Sequence, residues 1–364
     1  MDKKIRVLVV DDSALVRRII TDALEKDPEI EVIGTANNGK TAVFKSFVLY
    51  PDVITMDIEM PIMNGLDALR EIMETNAKPV IMLSSLTQHG AEATFKALEY
   101  GAVDFVPKPQ AMLSMSVEEI ASLLVSKVKA VAKSEINYRA KDLSHKVILK
   151  ENMPRHLTTA EREAARPIPK EVKIAGHRSI VCIGTSTGGP SALMRVFQSF
   201  PGDFTLPVLV VQHMPEGFTK AFAERLNSFS ALNVKEAEDG DKIEKGCAYI
   251  APGHSHMVLE KRMGQDYVSL HKGEKVSGHR PSIDELFLSV NRYYSSEVIA
   301  VIMTGMGRDG ASGITAIGKS GGYTIAQDES TSVVFGMNRV AIELGAIKNI
   351  VPLEEITKKI VEHI

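Results

Sequence analysis

The stretch CIGTSTGGPSAL, residues 182–193, decides how the C-terminal half of this chain is read. It carries a G-x-S-x-G pattern at Gly184, Ser186 and Gly188. An apolar run, RSIVCI, precedes it and a helix-like run, ALMRVF, follows. Strand, sharp turn and helix in that order lift a serine above a sheet edge, where the helix N-terminus favours developing negative charge. The same residues have plainer uses. Ser186 or Thr187 can cap the helix, and TSTGG can cradle a phosphate. The phosphate reading lacks a GxGxxG after this strand and any GKS or GKT. A hydroxyl is a weak nucleophile and needs a base within reach and a group to orient that base. His213, in VVQHMPEGF, follows the apolar run LPVLVVQ. Asp309, in MTGMGRDGASG, follows VIAVIM. Both stand where further parallel strands would end. The order Ser, His, Asp differs from the Ser, Asp, His order of α/β-hydrolases, so GxSxG by itself misleads about the fold. His254, His256 and His279 compete for the role of base. They fall in PGHSHMV and SGHRPS, turn-rich stretches that suit substrate contact better than proton transfer.

At 364 residues the chain is too long for one ordinary core and implies two or three domains. With 44% hydrophobic, 24% charged and 5% aromatic residues it has the composition of a globular protein. No apolar run reaches the length of a membrane span, and MDKKIRVLVVDD lacks the layout of a secretory signal, so a cytoplasmic protein is expected, with no direct membrane insertion. Cys182 and Cys247 lie apart in apolar runs and read as small hydrophobes. The net charge of −3 is unevenly spread: residues 1–125 carry 12 Lys+Arg against 19 Asp+Glu, residues 126–175 carry 12 against 6, and residues 176–364 carry 19 against 21. Neither large segment has the basic balance of a nucleic-acid-binding domain.

Residues 1–125 alternate the apolar runs IRVLVV, IEVIGTA, DVITM, PVIMLS and VDFV with amphipathic stretches such as NGLDALREIMET. This is the signature of βαβ units and a doubly wound parallel sheet. Residues 126–175 are charged, with prolines at 154, 167 and 169, and read as a linker. A second α/β pattern occupies 176–364, with strand candidates SIVCIG, LPVLVVQH, GCAYIAP, HMVLE, YVSLH, EVIAVIMTG and YTIAQD. The fold class is therefore α/β, with two doubly wound, mostly parallel-sheet domains.

In the first domain Asp11 and Asp12, Asp57, Ser84 and Lys108 all follow strand ends, which a parallel sheet brings to one edge. Clustered carboxylates raise one another's pKa unless a hard cation such as Mg²⁺ offsets them. A hydroxyl and an ammonium beside them suit the oxygens of a phosphoryl group, with Asp57 as carboxylate nucleophile. Taken singly, the same residues are helix caps and surface charges: Asp12 or Ser13 can cap the helix SALVRR.

The acidic pair DD, the box MDIEMPIMNG, the hydroxyl in LSS and the dipeptide KP resemble the receiver domain of response regulators over residues 5 to about 122. That resemblance implies Asp57 as phosphoacceptor, Asp11, Asp12 and Asp57 around Mg²⁺, Ser84 and Phe105 at the switch positions with Lys108, and a cis Lys108–Pro109 bond. A receiver followed by GTSTGG, VVQHMP, APGHSHM, SGHRPSIDELF and MTGMGRDG in this order resembles the bacterial chemotaxis protein-glutamate methylesterases, the CheB family, over nearly the whole chain. It implies a flavodoxin-like receiver and a Rossmann-like methylesterase domain, with Ser186 as nucleophile, His213 as base and then acid, Asp309 as its orienting partner and the Met306 N–H as oxyanion donor. It further implies hydrolysis of glutamate γ-methyl esters and deamidation of certain glutamines on chemoreceptors, a chemotaxis histidine kinase as phosphodonor, and no cofactor for the esterase reaction. Thr185, where a smaller residue is expected, and Arg308, where Asn is expected, depart from the pattern. The competing outputs are a DNA-binding domain, against which the acidic, strand-rich segment 176–364 argues, and a serine esterase of another substrate.

Overall fold

The computed structural model describes residues 3–85, 87–109, 116–134 and 178–364. The chain divides into two compact units, Met1–Met153 and Pro154–Ile364. Most of the segment 126–175 read as a linker lies outside the described residues.

The first unit holds β1 (Ile5–Val10), α1 (Ala14–Glu25), β2 (Ile30–Ala36), α2 (Gly39–Leu49), β3 (Val53–Asp57), α3 (Gly65–Thr75), β4 (Val80–Ser84), α4 (Gln88–Glu99), β5 (Asp104–Pro107) and α5 (Val117–Ala132). The strands form a parallel sheet in the order β2-β1-β3-β4-β5. Strands β3, β4 and β5 are buried along their whole length, which is why they read as unbroken apolar runs. The direction of winding reverses between β1 and β3, and ligands of open parallel sheets bind at such a reversal. Ser13 accepts the N–H of Val16 and caps α1, as one plain reading of that position holds. Helix α5 runs past the domain boundary expected at 125. A capping box of Ser116 and Glu119 starts it, and Ile120, Leu124, Val128 and Val131 keep the helical period against the core to its end.

The second unit holds β6 (Ile180–Thr185), α6 (Gly189–Gln198), β7 (Val208–Gln212), α7 (Thr219–Asn227), β8 (Asn233–Glu236), β9 (Cys247–Ile250), β10 (His256–Arg262), β11 (Gln265–His271), α8 (Ile283–Tyr294), β12 (Val298–Ile302), α9 (Ala311–Lys319), β13 (Tyr323–Gln327), α10 (Met337–Glu343), β14 (Asn349–Val351) and α11 (Ile356–Val361). Seven strands form a parallel sheet, β14-β13-β12-β6-β7-β9-β8, and β10 and β11 pair as a separate antiparallel hairpin. The sheet reverses its winding between β6 and β12, so the loops after these strands face one crevice. Buried β6, β7, β12 and β13 form the centre of the core. Cys182 is fully buried among them and Cys247 is half-buried, and neither forms a disulfide among the described residues. Among the described residues the cis peptide bond is Arg280–Pro281, and the expected cis bond at Lys108–Pro109 is not found. No helix among the described residues is long and apolar enough to cross a membrane.

Candidate active site and phosphoacceptor site

Ser186 is the first residue beyond β6, and its N–H bonds to the carbonyl of Thr304. It does not cap α6. That place belongs to Gly188, at φ 76°, with no side-chain cap hydrogen bond. The Ser186 hydroxyl lies 3.2 Å from Nδ1 of His213, the first residue beyond β7. Nε2 of the same ring lies 2.7 Å from Oδ2 of Asp309, in the loop after β12. Three loops that follow neighbouring strands thus join in one hydrogen-bonded line. The ring runs opposite to the template in which Nε2 faces the serine. A carboxylate only accepts, so Nε2 carries the proton and Nδ1 is left as acceptor for the serine hydroxyl.

Asp309 is fully buried and held from several sides. Oδ1 accepts from the Ser282 hydroxyl at 2.8 Å and the Asp284 N–H at 3.2 Å, and Oδ2 accepts from the Ile283 N–H at 2.7 Å. These donors are the N-cap and first turn of α8, where free N–H groups and the helix dipole favour an anion. Burial pushes the Asp309 carboxyl up, but the bond and charge of His213, the Ile283 N–H and the Ser282 hydroxyl outweigh it and hold the carboxyl below its ordinary value.

The rival histidines have other partners. His254 bonds to the Ser255 hydroxyl. Buried His256 bonds to the Glu274 carbonyl and accepts the Ser282 N–H at 3.2 Å. His279 stacks on the His213 ring, with centroids 3.8 Å apart and planes 11° from parallel. PGHSHMV and SGHRPS therefore serve the site's framework: His256 fixes Ser282, which holds Asp309, and His279 covers the His213 ring. Gly305 lies against Ser186, and a Cβ there would stand 2.7 Å from Cβ of Ser186. That close approach carries the next residue, Met306, past Ser186 with its side chain partly exposed.

In the first unit Asp11, Asp12 and Asp57 each offer a carboxylate oxygen, all within 4.8 Å of one another. Asp11 and Asp57 are buried and Asp12 is exposed. Lys108 reaches Asp57 at 2.7 Å and Asp11 at 3.0 Å. Burial raises the Asp57 carboxyl to about 6 despite Lys108, and the Asp11 charge adds to the rise. Asp57 and Asp11 outweigh the effect of burial on Lys108 and hold its ammonium above the ordinary value. Three clustered carboxylates facing a single ammonium make an all-oxygen site with excess negative charge, which fits a hard divalent cation. Ser84 is buried, accepting from the Thr94 hydroxyl at 2.5 Å and donating to the Gly90 carbonyl at 3.3 Å. Phe105 is buried edge-on to Phe95.

A family model described as CheB methylesterase matches residues 181–360, and one described as response regulator receiver domain matches residues 7–117. The chain is 45% identical over 367 residues to a protein-glutamate methylesterase/protein-glutamine glutaminase of Pyrococcus horikoshii, a match spanning 100% of this chain and 95% of the relative. A protein of the same name from Halalkalibacterium halodurans is 45% identical over 365 residues, spanning 100% of this chain and 99% of the relative. This chain belongs to the CheB methylesterase family. The crystal structure of the Thermotoga maritima CheB methylesterase catalytic domain matches with 43% identity and a TM-score of 0.50, covering 52% of this chain and all of that one.

As a CheB-family protein the chain is a hydrolase with an attached receiver, and a DNA-binding output is set aside. The structure brings Ser186, His213 and Asp309, the three positions singled out in the sequence, into one line of contacts. The Asp309 donors Ser282, Ile283 and Asp284 were not found, because a helix start carries no catalytic signature. The S-x-x-E spacing of Ser282 and Glu285 was the available signal for the helix start.

Proposed function

We propose that Ser186, His213 and Asp309 hydrolyse glutamate γ-methyl esters, and the amides of specific glutamines, on the cytoplasmic domains of chemoreceptors. The observation that carries this reading is the line of contacts Ser186–His213–Asp309, at 3.2 and 2.7 Å. Ser186 Oγ attacks the ester carbonyl while Nδ1 of His213 takes its proton. Asp309 keeps the other ring proton on Nε2 and stabilises the imidazolium that forms. The Met306 N–H, beside Ser186, donates to the developing oxyanion. The tetrahedral intermediate expels methanol, which leaves with the proton from His213. Water then attacks the acyl carbonyl as the same nitrogen takes its proton, and that proton passes to Ser186 Oγ as the bond to the glutamate carbonyl breaks and the carboxyl is released. The amide reaction differs only in releasing ammonia. No cofactor takes part in these steps.

In the receiver, Asp57 is the phosphoacceptor and Asp11, Asp12 and Asp57 would hold Mg²⁺. The ion, when bound, offsets the charge of the carboxylates and of the phosphoryl oxygens. Lys108 and the hydroxyl of Ser84 bind phosphoryl oxygens, and repacking of Ser84 and Phe105 carries the switch. A chemotaxis histidine kinase supplies the phosphoryl group, and phosphorylation raises esterase activity.

The test is methanol release from methylated receptor membranes. Wild type releases methanol and Ser186→Ala does not. Equal release from both would remove Ser186 from the mechanism. Hydrolysis of small esters with no release from receptor would keep the triad and overturn the substrate.

A further inference from the structure

Thr185 and Gln212 are the last residues of β6 and β7 and face each other across the ladder. Beyond them the two chains part, one to the nucleophile and one to the base. Both side chains are buried. The amide nitrogen of Gln212 donates to the Ser186 carbonyl at 2.9 Å and to the His213 carbonyl at 2.9 Å. Its oxygen accepts the Thr185 hydroxyl at 2.5 Å. Chemistry settles the orientation of this amide. Two carbonyls can only accept, so the NH₂ faces them, and the oxygen is left for a hydroxyl that must donate. Both amide hydrogens and the Thr185 hydrogen are thereby used. Space is kept for the arrangement by Gly189, where a Cβ would stand 2.0 Å from the Gln212 oxygen and 2.7 Å from the Thr185 hydroxyl.

We infer that Gln212, locked by Thr185, is a positioning residue that sets the distance between nucleophile and base. It touches neither substrate nor the reacting atoms. It adds a side-chain tie between the carbonyls of residues 186 and 213 to the last backbone bond of the ladder, from the His213 N–H to the Thr185 carbonyl at 3.1 Å. The 3.2 Å between Ser186 Oγ and His213 Nδ1 depends on that tie. Thr185, where a smaller residue was expected, supplies the hydroxyl that keeps the amide from turning over. A turned amide would set its oxygen against two carbonyls. The inference rests on the reading that Ser186 and His213 perform acyl transfer.

Full-length variants are assayed for methanol release from methylated receptor membranes, with thermal unfolding measured beside it. Thr185→Val keeps the shape and removes the donor. It should lower kcat about tenfold with KM within twofold, since misplacement of about 1 Å costs up to about 10²-fold. Thr185→Ser, which keeps the hydroxyl, should return kcat to within about twofold of wild type on the same geometric ground. Gln212→Glu sets a carboxylate against two carbonyls and should cost more, about 10²-fold in kcat. If Gln212→Glu fails to fold, the Thr185 pair alone decides. A Thr185→Val protein with unchanged kcat overturns the inference, as does one that loses stability or KM while kcat holds. Ser186→Ala is run alongside. An active Ser186→Ala overturns the functional reading itself, whereas an inactive one beside an unaffected Thr185→Val overturns only the positioning role.

Discussion

Asp57 and Asp309 are both buried carboxylates beyond or at the ends of parallel strands, yet their surroundings tune them in opposite directions. Asp309 has four donors: a hydroxyl, two N–H groups of a helix start and an imidazole N–H. Its carboxyl is held below the ordinary value and stays an anion. Asp57 has the Lys108 ammonium at 2.7 Å and the Glu59 N–H at 3.4 Å, with Asp11 beside it. Burial wins there and raises the carboxyl to about 6. One topology thus gives two kinds of acid. A fully satisfied carboxylate can hold a neighbouring imidazole in one orientation and takes no further partner. An undersatisfied one retains affinity for a cation and an electrophile.

The sharpest way to break this contrast is at the fully satisfied end. Ser186→Ala should lower methanol release by about 10³-fold or more. Asp309→Asn keeps the shape but removes the charge and the strict acceptor. It should lower kcat by about 10²–10⁴-fold in the same assay with KM little changed, because the ring can then adopt the wrong tautomer. If Asp309→Asn retained near-wild-type kcat, the helix cradle would have no catalytic purpose.

At the undersatisfied end, Asp57→Asn should abolish activation by a small phosphodonor such as acetyl phosphate while leaving basal methanol release in place. The two carboxyls also differ in the sign of their pH effect. The folded-state value of Asp57 is raised, so its contribution to stability is complete below the unfolded value and is lost as pH rises through about 6. In chelator, wild type should therefore lose about 2 kcal/mol relative to Asp57→Asn between pH 4 and pH 7.5, read by denaturant unfolding of the receiver transition, and Mg²⁺ should restore most of it. For Asp309 the folded-state value is lowered, so its contribution is present above the unfolded value and is lost only as pH falls through the folded one. A stability difference between wild type and Asp57→Asn that stays flat over this range would refute the account of Asp57.

The smallest effect concerns one donor among several. Ser282→Ala removes a single hydroxyl from Asp309 and the cap of α8. A loss of about 1 kcal/mol in stability and a few-fold in kcat is expected, because the Ile283 and Asp284 N–H groups remain. A loss as large as that of Asp309→Asn would show that the hydroxyl, rather than the helix start, holds the carboxylate.

Much of the architecture was legible because buried parallel strands are unbroken apolar runs. Ile180–Thr185, Val208–Gln212 and Val298–Ile302 were found this way. Asn233–Glu236 and Asn349–Val351 were not, being short edge strands with polar residues. HMVLE and YVSLH read as strands, but their antiparallel pairing outside the main sheet carried no signal of its own.

The sequence by itself determined that Ser186, His213 and Asp309 would meet, and likewise Asp11, Asp57 and Lys108. Each follows a strand, and a parallel sheet delivers strand ends to one rim. Tertiary structure alone decided how each group is tuned: which ring nitrogen faces the serine, that a helix start cradles Asp309, that His279 lies on His213, and that the Gln212 amide joins the carbonyls of Ser186 and His213. Those features are contacts between residues distant in the chain. Hydrogen-bond direction and loss of water depend on where atoms sit in space, which periodicity along a sequence does not encode.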